Sequence, residues 1–117
     1  MPGDGRKPQL RNQMTVATIA QAEEFAQKLT QRFEDHKING QRYYDFSCEV
    51  GRKYVRVVIN AYGQRHVYCF VRIEDGAILK AASWKTPAKG VRAWLDQILA
   101  SNLDGVDQYT RWLYRKG

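Results

Sequence analysis

The sequence predicts a two-layer α+β domain in the order α-β-β-β-β-α, with a four-stranded antiparallel meander and two helices on one face of it. Three observations support this prediction. Apolar residues recur at helical spacing near both ends of the chain, and the middle alternates apolar and polar residues with a period of two. Short turns that contain glycine separate the alternating segments, and such turns join antiparallel neighbours. The length of 117 residues allows one hydrophobic core and is too short for two.

Residues 1–14 are predicted to form a disordered basic arm ahead of a single α+β domain over residues 15–117. This segment holds two prolines, two glycines and the cations Arg6, Lys7 and Arg11, with almost no large apolar side chain. It therefore buries too little surface to offset the entropy of ordering the backbone.

The first helix is predicted over residues 18–36. Thr18 and Gln21 are spaced as in a capping box, and Asn39-Gly40 follows the helix as a stop signal. One apolar stripe recurs at i, i+3 and i+4 spacing, and it consists of Ala22, Phe25, Ala26, Leu29 and Phe33. We expect this stripe to face the sheet.

Four strands are predicted over residues 42–50, 53–60, 66–73 and 77–83, with turns at Gly51-Arg52, Gly63 and Glu74-Asp75-Gly76. The alternation gives the two middle strands one aliphatic face, which consists of Val55, Val57, Ile59, Val67, Cys69, Val71 and Ile73. The opposite face is expected to hold Tyr54, Arg56, His66, Tyr68, Phe70 and Arg72, with Lys80 and Trp84 at its end. Both helices should cover the aliphatic face, because their apolar stripes need a partner.

Residues 80–92 read Lys-Ala-Ala-Ser-Trp-Lys-Thr-Pro-Ala-Lys-Gly-Val-Arg and are predicted to join the last strand to a second helix over residues 87–100. Thr86 suits the N-cap, and Pro87 suits the first helical position because its φ is already helical. The helical stripe is expected to consist of Val91, Trp94, Leu95, Ile98 and Leu99.

A helix start at Pro87 would present unpaired backbone N–H groups and a partial positive charge. Lys85, Lys89 and Arg92 would add full charges there, so the stretch predicts a phosphate site, with merely solvated cations as the alternative. Trp84, just before the cap, is interpreted as a core anchor, with a stacking platform for a base as the alternative.

The positive charge is concentrated in one part of the chain. The formal net charge is +7. Residues 50–92 hold nine Lys and Arg against Glu74 and Asp75, and the remainder of the chain is neutral. This distribution favours a polyanionic partner.

Aromatic and cationic side chains alternate on the face that the helices leave uncovered, which is typical of proteins that bind single-stranded nucleic acid. The predicted nucleic-acid-binding residues are Arg52, Lys53, Arg56, Tyr68, Phe70, Arg72, Lys80, Trp84, Lys85, Lys89 and Arg92. The alternative is that the aromatic tail, residues 106–114, covers this face through Trp112 and Tyr114 and makes its aromatics part of the core.

The order of a helix, antiparallel strands and a helix entered through lysines resembles double-stranded-RNA-binding domains. Lys85, Lys89 and Arg92 correspond in position to the basic cluster at the start of that family's second helix. The resemblance implies binding to duplex RNA. The chain departs from the family by its apparent fourth strand, and it lacks the family's glycine-rich approach and paired lysines.

A second resemblance rests on Gly51-Arg52-Lys53-Tyr54, residues 66–71, the KAAxWxxPAKGxR motif of residues 80–92 and a closing Trp112-Leu113-Tyr114. Together these segments resemble a family of small bacteriophage proteins of unassigned function, over about residues 43–114. The resemblance implies a phage or prophage origin and expression in the cytoplasm of a bacterial host. It also implies either a role in phage nucleic-acid transactions or interference with a host protein.

The sequence predicts no enzymatic activity, cofactor or metal site. Asp45, Glu49 and Lys53 do not have the spacing of a nuclease strand. Cys48 and Cys69 lie in alternating apolar runs without a CxxC pair, so we expect buried, reduced thiols. No apolar run reaches the roughly 18 residues of a membrane span, so no membrane partner is expected.

The sequence therefore predicts a small, basic, non-enzymatic protein that binds nucleic acid, DNA or RNA. The alternative is a phage factor that binds a host protein through the same basic surface and inhibits or redirects it.

Overall fold

The computed structural model describes residues 3–33, 37–38, 41–42, 44–61, 63–106 and 113. The helices are α1 Gly3–Arg32 and α2 Leu95–Ala100. The strands are β1 Lys37–Ile38, β2 Gln41–Arg42, β3 Tyr44–Val50, β4 Tyr54–Ala61, β5 Gln64–Arg72, β6 Ala77–Ala81 and β7 Pro87–Trp94. The predicted α+β class is confirmed.

The sheet is an antiparallel meander of five strands in the order β3-β4-β5-β6-β7, where four were predicted. Each strand pairs with the next along the chain, as short turns dictate. β1 and β2 form a separate two-stranded ribbon. Asn39 and Gly40, the predicted stop signal, lie outside the described part of the chain, and so does His36.

α1 packs its apolar stripe on one face of the sheet, as predicted. All five stripe residues are buried in one cluster with strand residues such as Val55 and Val57. Aromatic contacts anchor this cluster, since the Tyr68 ring lies 6.5 Å from the Phe25 ring and 5.2 Å from the Phe46 ring, centroid to centroid. The face opposite α1 is called the outer face below.

α1 differs from the prediction at both ends. It begins at Gly3, so the backbone of residues 3–14 is helical where a disordered arm was expected. The second half of this segment contains Gln9, Leu10, Arg11, Gln13 and Met14, residue types whose intrinsic helix propensity is high. The helix ends at Arg32, four residues before the predicted end.

Thr30 joins α1 to the edge of the sheet. Its side chain is 9% exposed, and its hydroxyl accepts a hydrogen bond from the Phe46 N–H at 2.9 Å. The same hydroxyl lies 3.0 Å from the Ala26 carbonyl oxygen, to which it donates. Because β3 is an edge strand, this bond satisfies a backbone donor that a further strand would otherwise pair.

The predicted second helix is wrong over its first eight residues, which form β7. In β7, Val91 pairs with Leu79 and Ala93 pairs with Ile78. Gly90 has a φ of +97°, which a right-handed helix does not allow, and glycine is among the weakest helix formers. Only the last turns, Leu95–Ala100, are helical, and Leu95 joins the core cluster on the side of α1.

A β-bulge in β5 changes which face its residues occupy. Val57 pairs with Cys69 while Val58 pairs with Val67, so Tyr68 is the extra residue. Tyr68 was predicted on the outer face, and this prediction is wrong because the bulge turns its side chain into the core, where it is 1% exposed.

The chain beyond α2 returns to the core. Asn102 and Leu103 have φ values of 54° and 62°, which turn the backbone sharply, and Leu103 and Val106 are buried. Leu113 is also buried in the core cluster. Trp112 and Tyr114, the residues expected to cover the outer face, lie outside the described residues. Among the described helices, none is both long and apolar enough to cross a membrane.

Thr30→Val should lower the free energy of unfolding by about 1–3 kcal/mol, because it leaves the buried Phe46 N–H without its acceptor while keeping the side-chain shape. Thr30→Ser keeps the hydroxyl and is the matched control. Urea denaturation followed by circular dichroism measures both. Equal losses for the two variants would show that the methyl group, not the hydrogen bond, stabilises the helix on the sheet.

Cys48 and Cys69 should react slowly with iodoacetamide in the native protein. Cys69 is fully buried, Cys48 is half-buried with its thiol 3.3 Å from the Ala22 carbonyl oxygen, and the two are free thiols. Burial raises the pKa of Cys48 to about 12 and also raises the pKa of Cys69. The thiolate fraction of Cys48 at pH 8 is then about 10³-fold lower than in the unfolded chain. Mass spectrometry with and without urea measures the difference, and similar rates would contradict it.

Candidate nucleic-acid interface

A pocket of about 220 Å³ lies at the end of the β3–β4 hairpin. It is lined by Glu49, Val50, Gly51, Arg52, Lys53, Tyr54, Arg56, Phe70 and Lys85. This group contains four cations and one acid, and it is called the hairpin pocket below. Its residues come from β3, the turn, β4, β5 and the β6–β7 loop, so the pocket forms only when the meander is assembled.

The β3–β4 turn places Arg52 and Lys53 at the rim of the hairpin pocket. The Gly51 N–H donates to the Tyr54 carbonyl at 2.9 Å and closes the turn. A Cβ on Gly51 would lie 3.1 Å from that same carbonyl oxygen, which explains the glycine. The Lys53 carbonyl accepts a hydrogen bond from the Ile73 N–H at 2.9 Å, so the turn is also fixed to the end of β5.

The β6–β7 loop brings Lys85 to the hairpin pocket. The Ser83 hydroxyl accepts hydrogen bonds from the N–H groups of Lys85 and Thr86 at 3.3 and 3.1 Å. The Thr86 carbonyl accepts from Ala82 and Ser83 at 2.9 and 3.0 Å. The residue that caps this segment is therefore Ser83, in a tight hairpin loop, and not Thr86 at a helix start.

Arg56 connects this loop to the sheet. Its Nε–H donates to the Trp84 carbonyl at 2.7 Å, and its guanidinium carbon lies 4.9 Å from the centre of the Trp84 ring. The same carbon lies 5.9 Å from the centre of the Phe70 ring. These contacts hold the guanidinium group of Arg56 at the wall of the hairpin pocket.

Glu49 bridges two arginines beside Trp84. Its Oε1 accepts from Arg56 at 2.8 Å, and its Oε2 accepts from Arg65 at 2.6 Å. The Arg65 guanidinium carbon lies 5.3 Å from the Trp84 ring centre. Hydrogen bonds from Arg65, and then from Arg56, hold the pKa of Glu49 below its ordinary value. Glu49, Arg56, Arg65 and Trp84 are called the arginine–tryptophan cluster.

The hairpin pocket unites five of the residues predicted from the sequence, namely Arg52, Lys53, Arg56, Phe70 and Lys85. Trp84 contacts them through Arg56. Trp84 is 38% exposed and lies outside the core cluster, so the favoured interpretation of Trp84 as a core anchor is wrong. The loop holds its ring against two guanidinium groups instead of against the sheet's aliphatic residues.

The remaining predicted residues lie elsewhere. Tyr68 is in the core, and Lys80 is half-buried on β6. Arg72 braces the β5–β6 turn, since it donates twice to Asp75, at 3.0 and 2.7 Å. The Arg72 hydrogen bonds are the main reason that the pKa of Asp75 lies below its ordinary value.

The predicted phosphate site at a helix start is wrong, because Pro87 begins a strand. Lys89 is exposed on β7 and does not line the hairpin pocket, whereas Lys85 does. Arg92 lies at a register shift between the paired residues Val91 and Ala93, and its buried Nε has no hydrogen-bond partner among the described residues. The basic cluster compared above with double-stranded-RNA-binding domains therefore does not lie at a helix start.

Glu49 and Arg65 are site residues that were not predicted from the sequence. The signal for Glu49 was present, because a hairpin at Gly51 that pairs Val50 with Val55 also places Glu49 opposite Arg56. Arg65 pairs with Asn60 and falls within β5, which starts two residues earlier than predicted.

A second pocket, of about 350 Å³, lies between α1 and the segment after α2 and is lined by Lys28, Gln31, Arg32, Asn102 and Leu103. Arg32 donates to the carbonyl oxygens of Asn102 and Leu103 there. Its guanidinium is thus engaged in holding the turn, so this pocket offers a phosphate less charge than the hairpin pocket does.

Comparison with known proteins gives one family. A model described as a family of unknown function (DUF7717) matches residues 6–115, which is nearly the whole chain. No curated protein and no solved structure matches the chain.

Trp84→Ala should lower the free energy of unfolding by about 1–2 kcal/mol, because a part-exposed ring in two cation–π contacts contributes less than a core aromatic residue. Phe70→Ala is the comparison on the same face. Phe70 is 2% exposed, so its loss should cost about 3–5 kcal/mol. Thermal and urea denaturation measure both, and equal losses would restore a core role for Trp84.

Proposed function

The chain belongs to this family of unknown function, and we propose that it is a non-enzymatic protein that binds nucleic acid through the hairpin pocket. The observation that supports the proposal is the convergence of Arg52, Lys53, Arg56 and Lys85 on one space. These four cations come from two separated segments, and the loop bonds of Ser83 and Arg56 place them together.

Phosphate is the ligand group that best suits these four neighbouring cations. Arginine offers a planar fork of donors for two phosphate oxygens, and lysine adds a point charge. The chain carries a formal net charge of +7, and the described pocket residues include one acid against four cations. Nucleic acid carries a phosphate at every nucleotide. It is therefore attracted both by the cations of the pocket and by the positive electrostatic potential of the whole chain.

The contacts expected are to the backbone of the nucleic acid more than to its bases. Tyr68 is in the core and Phe70 is 2% exposed, so neither offers a free ring face for stacking. Trp84 and Tyr54 keep part of their surface accessible. Because phosphate contacts carry no sequence information, we expect weak dependence on base sequence and strong dependence on salt.

Binding to labelled single-stranded and duplex DNA and RNA across a salt series tests the proposal. The logarithm of the association constant should fall linearly with the logarithm of salt concentration, with a slope of about −0.7 to −0.9 per phosphate contact. Absence of binding to all four at low salt would contradict the proposal. It would favour the alternative, in which the same basic surface meets an acidic host protein.

Lys85→Gln should weaken binding and reduce the salt slope by about 0.7–0.9, because one phosphate contact is lost. Lys89→Gln is the matched control, since it removes the same charge from the exposed part of β7. Fluorescence anisotropy at several salt concentrations measures both slopes. If the two variants lose affinity equally, binding depends on net charge and not on the hairpin pocket.

A further inference from the structure

Glu49 is the acid among the described residues of the hairpin pocket, and it occupies an unusual position there. Its two carboxylate oxygens each accept from a different guanidinium group, at 2.8 Å from Arg56 and 2.6 Å from Arg65. Phosphate oxygens meet arginines with the same donors and similar distances. The carboxylate therefore engages arginine donors that the proposed ligand would use.

Arg56 would keep its orientation if Glu49 left. Its Nε–H bond to the Trp84 carbonyl does not involve Glu49, and neither do its contacts with the Trp84 and Phe70 rings. The terminal nitrogen Nη1 of Arg56, which now donates to Glu49, would then be available to a phosphate. Arg65 is also accessible to a phosphate, because its side chain is 50% exposed.

Glu49 can be displaced at little cost. The Glu49 side chain is 39% exposed, and water can solvate it when it turns away from the arginines. Ion pairs this exposed contribute little to stability, because solvent screens them. An incoming anion therefore exchanges with Glu49 without leaving a buried charge behind.

We propose that Glu49 is a built-in competitor that raises the threshold for binding at the hairpin pocket. This inference rests on the proposed function. A backbone phosphodiester carries one negative charge on two oxygens, as a carboxylate does, so every anion that uses Arg56 and Arg65 must displace Glu49 and loses the same factor in affinity. A single anionic group gains little from this exchange. A polyanion adds contacts to Arg52, Lys53 and Lys85 at the same time and remains bound.

Three variants test the inference, with a single-stranded oligo-dT and poly-glutamate as probes. Glu49→Gln removes the competing charge. Glu49→Asp keeps the net charge but shortens the side chain by one methylene, so that it no longer reaches both arginines. Asp45→Asn is the matched control, because Asp45 lies on the same strand and the same face as Glu49 and is exposed.

Glu49→Gln and Glu49→Asp should each bind oligo-dT more tightly than the wild type, by about 2- to 5-fold, because Arg56 and Arg65 no longer have to exchange a solvent-exposed carboxylate for the ligand. Poly-glutamate should gain by a similar factor, because the cost of displacing Glu49 does not depend on the incoming anion. Asp45→Asn should change the affinity for oligo-dT by less than about twofold, since it removes only an exposed charge whose effect on the pocket is screened by salt. Thermal melts confirm that each variant is folded.

The outcomes separate the two proposals. If the wild type binds no nucleic acid, the proposed function fails and this inference fails with it. If the wild type binds but both Glu49 variants bind no more tightly, or bind more weakly, Glu49 orients the arginines and the inference alone is wrong. An equal gain in Asp45→Asn would assign the effect to net charge and would also overturn it.

Discussion

The packing of the α1 stripe on the sheet decides which surface of this protein is left for function. Phe25 and Leu29 are fully buried, and a side chain of this size contributes about 1.5–3 kcal/mol when it leaves water. The ring of Tyr68 completes this layer from the strand side. Because the helix occupies this face, the cations of β4 and of the β6–β7 loop meet on the other one.

The site follows from the sheet and not from a helix end. In a meander, residues far apart in sequence become neighbours by register, so Glu49, Arg56 and Phe70 fall in one row across three strands. The β6–β7 hairpin then adds a loop from the far side of the sheet, and Arg56 fixes that loop by its bond to the Trp84 carbonyl. Arg56 thus links the sheet, the Trp84 ring and the Glu49 carboxylate.

Much of this fold could be predicted from the sequence, since the helical stripe and three of the turns are local patterns. The second helix could not, because Val91, Trp94 and Leu95 fit helical spacing equally well and the pairing of Val91 with Leu79 is a tertiary contact. Simple alternation also fails where a strand holds an extra residue, as at Tyr68. For the site, composition identified the basic residues, but it could not distinguish Lys85, which reaches the pocket, from Lys89 on β7.

The bulge in β5 shifts the alternation of its side chains between the two faces of the sheet by one residue. Val71 points to the helix layer and Phe70 to the outer face, whereas in the segment before the bulge His66 lies opposite the core residue Ile59. The two-against-one count lets the neighbours Tyr68 and Cys69 both face the helix layer, while the pairs before the bulge stay in register, with Arg65 opposite Asn60. Loss of Tyr68 would bring Val67 next to Cys69 and restore plain alternation, and Arg65 would stay on the outer face beside Glu49. The core would lose the ring that contacts Phe25 and Phe46. The extra residue therefore adds an aromatic side chain to the helix layer without moving the arginines of the opposite face.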